Sequence, residues 1–174
     1  MKKIFAASLA ITAAVLATSA SAQVVKDSES FAIALSGTVA SNCELTPEGS
    51  GSYNVNMLDV TDQGLLAITY ACNSPYTVSL QSQNGGMRHQ ESNGAVLIDY
   101  DIDSSFLGFN RVTVNSANMK SAPATIVTDS DWKNIALNGG ARQGDLGLSF
   151  DNLAEYAVAG TYSDTLTIKL AANF

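Results

Sequence analysis

Basic residues, histidine and cysteine are all scarce in this chain. Its 174 residues hold nine Lys and Arg against 16 Asp and Glu, a net charge of −7, and no basic run occurs. Neutralising phosphates needs clustered Lys and Arg, so no nucleic-acid partner is expected. One histidine and two cysteines are too few for a zinc site of the usual kind. Neither a Gly-x-Ser-x-Gly elbow nor a second histidine is present to suggest a serine hydrolase. Prolines are few (Pro47, Pro75 and Pro123), and there is no proline-rich linker, repeat or low-complexity block, so one domain is expected. Long apolar stripes of 3.6-residue period are missing as well, which argues against a helical fold. What is abundant is apolar: 46% of residues are hydrophobic and 14% charged, enough for a packed core and inconsistent with global disorder. Composition thus points away from enzymes, metalloproteins and nucleic-acid binders, and no cofactor is expected.

Lys2 and Lys3 precede an Ala-rich apolar run from Ile4 to Leu16. Thr18-Ser19-Ala20-Ser21-Ala22 then closes it with an Ala-x-Ala end before Gln23. This is the layout of a bacterial secretory signal peptide cleaved after Ala22. A membrane anchor is the competing reading, but the run is shorter than a bilayer span and no second apolar stretch follows. Removing 22 residues from 174 leaves 152, with 7 basic and 16 acidic residues and a net charge of −9. An oxidising compartment favours a disulfide between Cys43 and Cys72, the only pair. It would close a loop of about 30 residues and add roughly 3–4 kcal/mol by chain-entropy reasoning. Free buried thiols or a redox pair are the alternatives, and no Cys-x-x-Cys spacing supports the second.

Alternation dominates the rest. Phe31, Ile33 and Leu35 alternate with Ala32 and Ala34; Tyr53, Val55 and Met57 with Asn54 and Asn56; Tyr76, Val78 and Leu80 with Thr77 and Ser79. Leu66, Ile68, Tyr70 and Cys72 share one parity, and Val112 and Val114 flank Thr113. Val96, Ile98, Tyr100 and Ile102 lie opposite Asp99, Asp101 and Asp103. Leu146, Leu148 and Phe150, then Leu166, Ile168 and Leu170, complete the set. Turn residues separate these runs, among them Gly49-Ser50-Gly51, Asn84-Gly85-Gly86, Asn93-Gly94 and Asn138-Gly139-Gly140. Many short strands with such punctuation predict an all-β sandwich. Residues 151–159 have room for a helical turn, too short to alter the class.

Asp99, Asp101 and Asp103 resemble the start of a calcium loop. An EF-hand, however, needs Gly at its sixth position and a carboxylate at its twelfth, where this chain has Ser104 and Asn110. A solvated strand face accounts for the three aspartates. His89, in the polar run Met87–Glu91, reads as a surface-loop residue; a hydrolase would need it beside a distant Ser and Asp. Trp132 and Tyr162 suit a sugar-binding cleft, although aromatics in a sandwich are more often core or edge packing. Residues 31–39 form a well-patterned strand behind a polar stretch. Phe31, Ile33, Leu35 and Val39 share a face, with Gly37 between the last two. That strand either pairs within its own domain or leaves it to pair with a neighbour, and periodicity does not separate the two.

The chain resembles the spore coat protein U-like domain family, which includes pilins of the archaic chaperone–usher pathway. The resemblance covers most of residues 30–174. It is carried by Gly160-Thr161-Tyr162-Ser163-Asp164-Thr165, matching a Gly-x-Tyr-x-Asp-Thr ending before an alternating last strand. The leader, the short strand before Cys43, the Cys43/Cys72 spacing and Ile98-Asp99-Tyr100-Asp101-Ile102 also match. The Met87–Glu91 run departs from the family's arginine-centred pattern.

The resemblance implies an all-β, incomplete immunoglobulin-like β-sandwich that lacks its final strand. Residues 1–22 would be the leader, 23–40 a donor-strand segment and 41–174 the pilin domain. Phe31, Ile33, Leu35 and Val39 would fill the groove of the next subunit, and Leu166, Ile168 and Leu170 would line that groove. A periplasmic chaperone would occupy the groove first, and an outer-membrane usher would exchange it for a neighbouring subunit. The product would be a cell-surface fimbrium supporting adhesion or biofilm formation, with no catalysis. A self-complete secreted adhesin or carbohydrate-binding module is the rival reading.

Overall fold

The computed structural model describes residues 30–137, 141–151 and 157–173. The proposed leader, the Asn138–Gly140 turn and residues 152–156 of the expected helical turn lie outside the described residues. The chain divides into two units, Met1–Thr38 and Val39–Phe174. Of the first, residues 30–38 carry no helix or strand and are exposed throughout.

Among the described residues, the regular structure of the second unit is mostly β. Its strands are β1 (Cys43–Glu48), β2 (Gln63–Cys72), β3 (Tyr76–Ser82), β4 (Met87–His89), β5 (Leu97–Ile98), β6 (Asp101–Phe106), β7 (Val112–Asn115), β8 (Ala124–Asp129), β9 (Arg142–Ser149), β10 (Tyr162–Ser163) and β11 (Leu166–Ala172). One short helix, α1 (Trp132–Leu137), joins β8 to β9, and a 3-10 turn spans Ser116–Met119. All described pairings are antiparallel, in a five-stranded sheet β1-β2-β9-β6-β7 and two three-stranded sheets, β11-β3-β8 and β10-β4-β5.

The first two sheets pack their apolar faces together in a sandwich-like arrangement. Ile68, Tyr70, Ile102, Leu146 and Leu148 from one meet Tyr76, Val78, Leu80, Ile126 and Val127 from the other. Tyr70 sits edge-on to both Tyr76 and Phe106, with ring centroids 5.7 and 5.6 Å away. Arg142 on β9 crosses between the sheets: its Nη1 donates to the Asp129 carboxylate on β8 at 3.0 Å and to the Tyr76 hydroxyl on β3 at 2.8 Å.

Besides residues 31–39, two expected strands come out differently. Val55 and Met57 pack on the core as their spacing predicts, but residues 53–57 form no ladder and Tyr53 is exposed. The Gln63 side chain takes the backbone bonds a partner strand would have used, accepting from Asn56 N–H and donating to Asn56 O, each at 2.8 Å. The Val96–Ile102 run is broken in two because its halves join different sheets. β5 pairs with β4, whereas β6 pairs with β7 and β9. At the crossing, Tyr100 N–H donates to Ser116 Oγ and Ser116 N–H to Tyr100 O. Asp99 is exposed and Asp101 and Asp103 half-buried, opposite buried Ile98, Tyr100 and Ile102. Among the described residues, no group of three or more His, Cys, Asp or Glu is placed to hold a metal ion.

Candidate functional site

β1 and β11 each end a sheet, and each has a hydrogen-bonded neighbour on one side only among the described residues. They approach one another at the side of the sandwich with no ladder between them. Leu166, Ile168 and Leu170 fall on the half-buried face of β11, against the core, while Thr167 and Lys169 are exposed. Leu45 of β1 is half-buried on the same core.

At the β11 start lies an apolar cleft of about 440 Å³, lined by Val55, Leu65, Leu66, Leu146, Leu148 and Leu166 among others. Of the three residues read from the sequence, Leu166 lines this cleft, and Ile168 and Leu170 lie further along the same face. Leu65 was missed for a structural reason. The β2–β9 register shifts between Gly64 and Leu66, and such a bulge re-aims a side chain. Both leucines then face the cleft, where strict alternation would offer only one.

Asp164 fixes the position of β11. Its Oδ2 accepts from the Tyr100 hydroxyl at 2.7 Å and the Ser82 hydroxyl at 2.5 Å, and its Oδ1 from Asn84 N–H at 3.0 Å and Thr165 N–H at 2.8 Å. Tyr100 and Ser82 are both buried. This gives a physical reason for the aspartate just before the strand. In Asp164→Ala the buried hydroxyls lose their acceptor, and we expect a loss of about 2–3 kcal/mol by urea denaturation. A loss below about 0.5 kcal/mol would contradict that role.

Burial pushes the Tyr100 hydroxyl well above its ordinary range, and the bond to Asp164 adds to the shift. Burial also raises Tyr76, helped by the neighbouring Tyr70 hydroxyl. The folded state therefore keeps protons that the unfolded chain releases from about pH 10. Stability is full below that point and falls above it, so the urea midpoint is expected to be lower at about pH 11 than at about pH 9.

His89 is not a loop residue. It lies in β4 and is 4% exposed. Its Nδ1 accepts from Ser92 N–H at 2.9 Å, and Nε2 stands 3.1 Å from Ala159 O and 3.4 Å from Glu91 Oε2. Tyr162 meets the ring edge-on at 4.8 Å. The Ser92 hydroxyl donates to the His89 carbonyl instead of the ring. Glu91 accepts from Thr161 N–H with both oxygens. The imidazole thus ties the segment before β10 to β4. Gly160 makes this possible: a Cβ there would collide with the His89 ring, and its φ of +151° disfavours any other residue. Trp132 is 63% exposed at the start of α1, so the core-packing reading fails for it. The cleft lining includes neither Trp132 nor Tyr162.

No family model, curated protein or solved structure matches this chain.

Cys43 and Cys72 form a disulfide. They stand opposite each other in the β1–β2 ladder, so the bond locks the sheet-end strand β1 to the body of its sheet. A structural disulfide indicates an oxidising, exported environment. Among the described residues, no helix is long and apolar enough to cross a membrane. Cys43→Ser should lower stability by about 3–4 kcal/mol under non-reducing conditions; an unchanged thermal midpoint would count against that contribution.

Phe31, Ile33, Leu35 and Val39 are 88%, 71%, 91% and 87% exposed. All four are large apolar side chains on one parity, and all stand in solvent.

Proposed function

We propose that the chain is a structural pilin: an exported subunit that assembles into a cell-surface filament by donor-strand exchange and performs no catalysis. On this reading Val39–Phe174 is an immunoglobulin-like sandwich short of one strand, the one that would lie between β1 and β11. The observation that carries the reading is the apolar cleft at the start of the sheet-end strand β11, where Leu166 stands with the core residues Leu146 and Leu148. An unpaired edge over exposed core residues is a strong template for strand addition.

Residues 31–39 suit the vacancy. A nine-residue strand spans about 30 Å, roughly the length of a domain. Its alternating apolar face would meet Leu166, Ile168, Leu170 and the cleft, and its backbone would bond to β11 on one side and β1 on the other. Burying each of the four apolar side chains contributes roughly 1.5–3 kcal/mol before ordering costs. The contact is head-to-tail, so repetition gives an open filament. A periplasmic chaperone would protect the flank before assembly, and an outer-membrane usher would mediate the exchange.

Three proteins test the reading: the chain from residue 23, the same chain without residues 23–39, and the chain from residue 23 with a second copy of residues 28–39 on a flexible C-terminal linker. The first should give heat-labile ladders on unheated gels, the second should aggregate, and the third should be a stable monomer. A first protein that is monomeric, stable and ladder-free would instead mark a self-complete sandwich and turn attention to ligand binding.

A further inference from the structure

Residues 40–43 are pinned to the turn between β2 and β3. Asn73 Nδ2 donates to Ala40 O at 2.9 Å, Asn42 N–H donates to Asn73 Oδ1 at 2.7 Å, the Ser41 and Ser74 hydroxyls lie 2.9 Å apart, and Cys43 is bonded to Cys72. The donor segment must therefore set out from this pole of the sandwich. Other elements end at the same pole. Asp129 pairs with Tyr76 just before α1, Arg142 pairs with Tyr70, and Leu107 N–H, in the β6–β7 turn, donates to Gln143 O at 3.1 Å. Three large apolar side chains stand in solvent here: Leu107 at 73%, Trp132 at 63% and Leu137 at 76% exposed.

We infer that this pole, centred on Trp132 and Leu137 of α1 with Leu107 beside it, is a docking surface for the next copy of this chain in the filament. The inference rests on the pilin reading and adds a second contact to it. The length of the tether carries the argument. With Val39 seated in the neighbour's groove, no free residue separates the neighbour from the anchored Ala40. With Leu35 as the last seated residue, four residues intervene, reaching about 13 Å at most. A domain of this size is roughly 30 Å across, so the neighbour's body overhangs the pole in either case. A second copy is thus held against these side chains at a high effective concentration, and burying them is favourable.

Trp132 is the only tryptophan, so its fluorescence reports on this pole alone. The comparison is between polymers of the intact chain and the monomeric chain that carries the second copy of residues 28–39. Both have filled grooves and differ only in having a neighbour. Acrylamide quenching of Trp132 is expected to fall about threefold in the polymer as water is excluded from the contact, with a blue-shifted emission. Leu137→Glu should leave the ladders intact and return quenching in the polymer towards the monomer value. Ladders with quenching equal to the monomer's would overturn the docking surface and leave strand exchange standing. Protection unchanged by Leu137→Glu would also overturn it. Absence of ladders would remove the pilin reading, and this inference with it.

Discussion

Arg142→Ala is expected to cost about 3–5 kcal/mol of stability, the largest loss from any single side chain considered. The Arg142 side chain is 12% exposed and that of Asp129 4%. Burial opposes charge on Arg142, but Tyr76 and Asp129 more than reverse the effect, and its pKa lies above the ordinary value. The guanidinium also lies over the Tyr76 and Phe109 rings, 5.8 and 5.9 Å from their centroids. Truncation removes all of this and strands a carboxylate in the interior, left with Asn134 Nδ2 at 3.2 Å and Asp131 N–H at 3.1 Å. An uncompensated buried charge is the costly part, because removing both partners of such a pair is often close to neutral. Arg142→Met combined with Asp129→Leu should therefore recover much of the loss. Equal destabilisation in the single and double variants, measured by urea denaturation, would show that lost packing dominates.

On the proposed pilin reading, Ile33→Asp and Leu35→Asp are expected to abolish polymerisation while leaving the folded unit unaffected. Both side chains are exposed, at 71% and 91%, so the substitution costs the subunit nothing. Inserted into a neighbour's groove, either carboxylate would be buried without a partner, which costs several kcal/mol even after relaxation. That outweighs the roughly 1.5–3 kcal/mol one apolar side chain contributes on burial. The measurement is the ladder on unheated gels together with the thermal midpoint of the subunit. Normal ladders from both variants would remove residues 31–39 from the proposed role. A depressed midpoint would mean that these residues support their own domain.

The all-β class was legible because burial here follows strand parity over long stretches. The alternation at Leu66–Cys72, Tyr76–Leu80, Leu146–Phe150 and Leu166–Leu170 coincides with β2, β3, β9 and β11. β8 was hidden because Ile126 and Val127 are adjacent and both buried, where its pairing with β3 shifts register. α1 is six residues long, too short to show a helical period. The Arg142–Asp129 pair joins residues thirteen apart on facing sheets, so no local pattern announces it. His89 looked solvated because its neighbours Arg88 and Gln90 are exposed, although a three-residue strand turns the imidazole itself inward. The β11 face was readable from its spacing, but Leu65 at the cleft depends on a bulge that composition does not mark.

The Cys43–Cys72 bond has a mechanical consequence. Any pull on the chain before Val39 reaches the sandwich through residues 40–43, at the first rung of β1. Without a covalent link there, tension would peel β1 from β2 one hydrogen-bonded pair at a time, beginning at Cys43. The disulfide carries the load past β1 straight into β2, which is bonded on both sides within its sheet. The edge strand β1 is thereby kept out of the force path, and on the proposed pilin reading a stretched filament would yield somewhere other than at Cys43.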